Sequence, residues 1–168
     1  IKVMREHPMA DILLFDAWQN EGDKENPWEH FNSSMVWRNS SAIRRLQYCT
    51  LYYPYPDKHK KVPLAAPWDK VYRSKFLKEN GIQFRKELKV LDDMVFNTEC
   101  FGVASEVVYT KEKIYHYRYV SDSITNSYKP DRVEQDRKVW SYLQKYAEQM
   151  GAGEDFARAV RCRIVKSF

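Results

Sequence analysis

Apolar residues recur along this chain with two different periods, and the places where the period changes set out its elements. IKVMRE has helical character, Pro8 stops it, and Ile12 to Phe15 follows as an apolar strand. From Pro67 onward, Trp68, Tyr72 and Phe76 repeat every four positions with Val71 beside them. That spacing predicts one helix, opened by Pro67 and Asp69 and stopped at Asn80-Gly81. Ile82-Gln83-Phe84 then alternates as a short strand does. Phe96, Cys100 and Ala104 share a helical stripe that begins at Asp93, which puts Asp92 and Asp93 at an N-cap and first turn.

The segment VVYT, the charged Lys111-Glu112-Lys113 and IYHYRYV together predict a β-hairpin. Alternation along its second arm sets Tyr115, Tyr117 and Tyr119 on one face and Ile114, His116, Arg118 and Val120 on the other. Further on, Val133, Val139, Trp140, Leu143, Ala147 and Met150 fall at helical spacing. A second amphipathic run carries Phe156, Val160, Ile164 and Phe168. Between Gly22 and Pro63 the pattern is weakest, with Pro27, Pro54, Pro56 and a Lys-rich DKHKK among short apolar clusters, and it predicts an irregular, partly exposed region. Strands alternating with helices predict an α/β class, α+β if the chain is a fragment. Residues 1–128 are expected to form one unit and residues 129–168 a helical extension. Ile1 opens the chain in the middle of a helix and the last amphipathic run stops without a cap, so the sequence reads as part of a longer protein.

Composition narrows this only a little. The 168 residues, 43% hydrophobic and 15% aromatic, suffice for one domain with a sizeable core. Lys and Arg outnumber Asp and Glu by 28 to 23, a surplus that favours anionic partners without choosing among them. Cys49, Cys100 and Cys162 form no C-x-x-C and are odd in number, so they point to a reducing, cytoplasmic setting and away from a zinc ribbon or a disulfide framework. Two glycosylation sequons, at Asn32 and Asn39, are read as chance, because no apolar leader or membrane span accompanies them.

The candidate chemistry centres on Asp92 and Asp93. Free backbone N–H groups and the helix dipole stabilise an ionised carboxylate at a helix start, and such a carboxylate can take a proton from an attacking hydroxyl. Two adjacent like charges oppose each other, so spacing does not say which is the stronger base. The plain alternative is a helix cap. Arg118 can bind a phosphate oxygen pair in a bidentate way, with Ser121, Ser123 or Thr125 adding hydroxyls and His116 a phosphate or metal contact. Trp68 and Lys70 read structurally as a core anchor and a solvated cation. Tyr52, Tyr53 and Tyr55 cover a core edge or line a groove that stacks on sugar rings. Gly153-Glu154-Asp155-Phe156 repeats the acidic-pair pattern without its surroundings and is read as a helix cap.

In order, the residues run Trp68-x-Lys70-x-Tyr72-Arg73-x-x-x-Leu77, Asn80-Gly81-Ile82-x-Phe84, Asp92-Asp93-x-x-Phe96 and Tyr115-x-Tyr117-Arg118-x-x-x-x-Ser123-Ile124-Thr125. This series resembles the acceptor half of family 2 glycosyltransferases across residues 66–125, and more loosely across residues 1–16. The resemblance implies part of a GT-A fold with a small mixed sheet and C-terminal helices. It also implies inverting transfer from a nucleotide-diphospho-sugar donor to a glycan or lipid-linked acceptor, in polysaccharide or similar glycan synthesis. On this likeness Asp93 is the catalytic base and Asp92 its acidic neighbour, where the family more often has Glu. Arg118, His116, Ser121 and Ser123 lie near the donor diphosphate, and Trp68 and Lys70 near the acceptor. The family's metal-binding Asp-x-Asp and its Gly-rich nucleotide turn do not occur in this chain, so Mg²⁺ or Mn²⁺ would take its main ligands from elsewhere and this chain alone would be inactive. The implied setting is cytoplasmic, with peripheral association at the inner face of the membrane and no nucleic acid partner. Two further readings are an anion- or nucleic-acid-binding module, which requires Lys and Arg on one face, and a silent scaffold, which requires Asp93 in a structural hydrogen-bond network.

Overall fold

The apolar run at Ile12 becomes strand β1 (Ile12–Glu21), with its first six residues buried, as befits a strand flanked on both edges and covered on both faces. A computed structural model describes residues 2–51, 62–120 and 130–165. Before β1 comes the short helix α1 (Lys2–Glu6). After it come β2 (Lys24–Trp28), β3 (Met35–Trp37), α2 (Ser40–Thr50), β4 (Lys70–Tyr72), α3 (Ser74–Glu79), α4 (Asp92–Val103), β5 (Val107–Arg118), α5 (Arg132–Gln149) and α6 (Glu154–Val165). The result is a mixed α/β fold with a small mixed sheet.

β5 runs parallel to β1 on one edge and takes β3 antiparallel on its outer side. The other edge of β1 is shared. β4 pairs antiparallel with Ile12 to Leu14, and β2 pairs antiparallel with Ala17 to Glu21. Pro27 is tolerated in β2 because that strand pairs along one side only. Where β4 leaves and β2 begins, the Phe15 N–H donates to the Asp69 carbonyl oxygen at 3.0 Å, and the side chains around this gap form the candidate site.

Two apolar cores hold α4 between them. Ile12, Leu14, Val107 and Tyr109 of the sheet pack with Ile43 and Leu46 of α2 and Phe96, Cys100 and Phe101 of α4. Met94 and Val95 of α4 pack with Leu88 and Val90, with Val139 and Leu143 of α5, and with Phe156 and Val160 of α6. Each Val, Leu, Ile, Phe or Met side chain among them contributes about 1.5–3 kcal/mol when taken out of water. α4 is buried on nearly all sides, from Met94 to Phe101, so the position of its first turn is fixed by packing at both cores.

Several sequence expectations need correcting. The helix expected from Pro67 is split: residues 70–72 form β4 and only Ser74–Glu79 are helical, because β1 offers these residues an open edge. Ile82 to Phe84 form no strand. The expected hairpin is one continuous strand, β5. Its extra residues around Lys111-Glu112-Lys113 are absorbed as register shifts opposite Phe15, Asp16 and Ala17. The region read as irregular contains β2, β3 and α2. Asn39 is the N-cap of α2, its Oδ1 accepting the Ser41 N–H at 2.8 Å, a role the sequence pattern did not suggest. Tyr52, Tyr53, Tyr55, Ser121, Ser123 and Thr125 lie outside the described residues. The α1 start, the α5 and α6 helices and the helical start at Glu154 agree with the pattern. Cys49, Cys100 and Cys162 are unpaired.

Candidate functional site

Asp92 and Asp93 are the first two residues of α4, with Leu91 rather than an aspartate at the N-cap. Leu91 has φ 56° and ψ 18°, a left-handed conformation that non-glycine residues rarely adopt. It turns the chain sharply into the helix. Asp93 is partly buried, and its Oδ1 accepts the Met94 N–H at 2.7 Å. Burial raises the Asp93 carboxyl above its ordinary value and the neighbouring charge of Asp92 adds to this, against the lowering effects of the Met94 N–H and Lys70.

Lys70 stands behind this turn. Expected as a solvated cation, it is instead fully buried, because Asp69 beside it and β1 across the pair give it partners inside: on β4 it pairs with Leu14, and its ammonium donates to Asp69 Oδ1 at 2.5 Å and to the Ala66 carbonyl oxygen at 2.5 Å. Burial pulls the Lys70 ammonium down, opposed by Asp69 and then Asp93. Burial would raise Asp69, but Lys70 and then His30 outweigh it and hold that carboxyl below the usual range. His30, also fully buried, places Nε2 3.0 Å from Asp69 Oδ2. The contact is electrostatic, since the ring N–H is not aligned for a hydrogen bond and neither ring nitrogen has another partner among the described residues. The backbone N–H of His30 donates to Asp16 Oδ1 at 3.0 Å, and the Tyr109 hydroxyl lies 2.8 Å from both Asp16 oxygens. A buried polar chain thus runs from β5 through β1 to β4.

Asn97, one turn into α4, ties the two halves together. Its amide donates to the Ala65 carbonyl at 2.8 Å and to the Asp93 carbonyl at 3.0 Å, and its oxygen accepts the Tyr72 hydroxyl at 2.6 Å. Burial pushes the Tyr72 phenol far up, so it remains a donor at any ordinary pH. Nearby, Trp68 lies nearly parallel to Tyr115 (centroids 5.4 Å apart, planes at 25°) and close to Tyr117 (5.0 Å, 30°), with Trp28 edge-on at 5.8 Å. Trp28, Ala17 and Tyr115 are neighbours across β2, β1 and β5, and buried Ala17 is the small residue between the two rings. These four rings form a partly exposed aromatic surface.

The remaining expected residues lie farther along β5. His116 Nδ1 is 3.2 Å from Asn20 Oδ1 and 3.3 Å from Glu25 Oε1, and exposed Arg118 pairs across the sheet with Asn20. Both line a surface hollow with Asn20 and Gly22. Among the described residues, no hydrogen bond or ion pair joins them to Asp92, Asp93 or Lys70. The fold therefore brings Asp93, Lys70 and the Trp68 segment together and leaves His116 and Arg118 at the strand end. Sequence reasoning missed His30, Asp16 and Asn97, of which only Asp16 stands out as a lone polar residue in an apolar run, and read Asp69 only as a helix-start charge. Among the described residues, no group of three or more His, Cys, Asp or Glu side chains could hold a metal ion, and no helix is long and apolar enough to cross a membrane.

No family model matches this chain. One similar protein is EpsH of Bacillus subtilis (strain 168), whose name describes it as a candidate glycosyltransferase. It is 25% identical over 100 residues, which is 58% of this chain. The match spans 29% of that relative's length. The chain thus bears a distant likeness to a glycosyltransferase in general.

Proposed function

We propose that this chain is the acceptor-side part of an inverting family 2 glycosyltransferase of the GT-A type, with Asp93 as general base. Residues 1–128 contribute to the transferase domain and residues 129–168 form its helical extension. In the proposed step the Asp93 carboxylate takes the proton of the acceptor hydroxyl while that oxygen bonds to the anomeric carbon. The carbon–oxygen bond to the donor's diphosphate breaks, and the nucleoside diphosphate leaves with the electron pair. Trp68, with its neighbouring rings, offers a surface on which a glycan or lipid-linked acceptor sugar can stack. Arg118 and His116, with Ser121 and Ser123, are the proposed contacts to the donor diphosphate.

The observation that carries the reading is the setting of Asp93. It follows a left-handed Leu91, is only partly buried, and its carboxyl is held by backbone N–H groups of its own helix start, with no side-chain hydrogen bond to it among the described residues, which leaves it open to a substrate proton. A carboxyl raised by burial is a better proton acceptor than a solvated one. A silent scaffold calls instead for an Asp93 locked into a structural network. Basic residues are interleaved with acids, as in Arg38 with Glu106, Lys113 with Glu29 and Arg132 with Asp136, which counts against a single nucleic-acid-binding face.

Bound Mg²⁺ or Mn²⁺ would neutralise the departing diphosphate, and the described residues form no site for it. The proposed setting is the cytoplasm, at the inner face of the membrane. The test is transfer by the longer protein this reading implies, compared with its Asp93→Asn variant. Retained turnover would sink the assignment.

A further inference from the structure

The proposed chemistry uses Asp93 and leaves a buried trio behind it without a role. The side chains of His30, Asp69 and Lys70 are all 0% exposed. An ammonium in such a place is costly, and an apolar residue at a strand position facing Leu14 would avoid that cost. The ammonium is also held rigidly. Asp69 and the Ala66 carbonyl each take one of its hydrogens, and His30 stands against the other oxygen of Asp69.

The anchoring points toward α4. Ala66, which accepts from Lys70, adjoins Ala65, which accepts from the Asn97 amide, and that same amide reaches the Asp93 carbonyl. We propose that His30, Asp69 and Lys70 are positioning residues: they fix one dry cation behind the first turn of α4, and its field keeps the Asp93 carboxylate ionised and in place to take a proton. None of the three touches substrate in this scheme; they act through Asp93. The inference rests on the reading of Asp93 as base.

Among the described residues, the charged and titratable groups around this point come from α4, from the β4 segment and, through His30 against Asp69, from the segment after β2. Asp92 shares the first turn with Asp93, Cys100 lies further along α4 and faces Lys70, and Asp69, Lys70 and Tyr72 face it from the β4 segment. Among the described residues with an electrostatic effect on Asp93, Lys70 alone brings positive charge. Asp92 works against ionisation and Lys70 for it.

The experiment is a carboxyl and side-chain ¹³C NMR titration of this chain, with no enzymatic assay required. In the unsubstituted chain, the Lys70 Cε resonance should step at the midpoint of the Asp93 Cγ titration. In Lys70→Met the Asp93 midpoint should rise by about one pH unit, a roughly tenfold weaker acid. His30→Gln should move it the same way by less. A Lys70 resonance blind to Asp93 ionisation overturns the proposal, as does an unmoved midpoint in a folded Lys70→Met. If Lys70→Met does not fold, the unsubstituted chain and His30→Gln decide. In the longer protein, the acid limb of kcat/KM should follow the Asp93 midpoint, which a purely structural role would not shift. Full transfer by Asp93→Asn would instead sink the base assignment, so the two failures are distinguishable.

Discussion

The side-chain amide of Asn97 donates to the Ala65 carbonyl oxygen at 2.8 Å and so fastens α4 to the segment carrying Trp68 and Lys70. The same two pieces also pack together through Leu64, Phe76, Phe96 and Cys100, with Tyr72 edge-on to Phe96 at 5.2 Å, and the Asn97 bonds fix their register.

Asn97→Ala should therefore cost more than a single hydrogen bond. The residue is 0% exposed, and its removal leaves the Tyr72 hydroxyl and the Ala65 carbonyl without their partner. A loss of about 2–4 kcal/mol in denaturant unfolding is expected from bonds worth about 1 kcal/mol each plus the groups left unsatisfied. A change below about 0.5 kcal/mol would mean that the link is not formed in solution.

Gly102 in α4 makes a second, purely steric test. A Cβ added there would stand 2.1 Å from the Tyr146 hydroxyl and 2.6 Å from the Gln47 amide nitrogen. Alanine is ordinarily better than glycine in a helix by about 1 kcal/mol, but overpacking costs about 1–3 kcal/mol and should win. Gly102→Ala is expected to lower Tm, and Tyr146→Phe in the same chain should recover part of the loss. Simple additivity of the two changes would contradict this contact.

The Asp69 and Lys70 pair should behave as a buried ion pair does. Lys70→Met leaves Asp69 unpaired and is expected to cost about 3–5 kcal/mol, whereas Asp69→Asn with Lys70→Met should cost clearly less. Asp69 is held below its unfolded value, so its share of stability is present above the ordinary carboxyl range. That share is lost as pH falls through the folded value.

Asp93 has the opposite sign. Its carboxyl is raised, so its share is fully present below the unfolded value and is lost as pH rises through the folded one. Asp93→Asn should match the parent chain in acid and exceed it near neutrality, by about 1 kcal/mol or less, or up to roughly 3 °C in Tm. A less stable variant at neutral pH would contradict the strained setting described for this turn.

Much of the fold could be read from spacing, and the failures have physical causes. Trp68, Lys70 and Tyr72 fit a period of two as well as Trp68, Tyr72 and Phe76 fit a period of four. The open edge of β1 settled it as a strand. Lys111-Glu112-Lys113 looked like a turn because its charges cluster, yet a parallel neighbour can absorb extra residues as bulges. α2 was hidden because its buried face includes Gln47 and Thr50, polar residues satisfied by Thr98 and Tyr146 from sequence-distant helices. The acidic helix start was legible from local chemistry. The trio of His30, Asp69 and Lys70 was not, because β4, β1 and the segment after β2 meet only in the folded chain.

The most direct test of the account is transfer from a nucleotide-diphospho-sugar donor by the longer protein and by its Asp93→Asn variant, with donor binding measured in parallel. If Asp93 is the base, kcat should fall by about a hundredfold to ten-thousandfold with donor affinity unchanged, as expected when a general base is removed. Turnover by Asp93→Asn equal to the parent's would contradict it and place the base elsewhere.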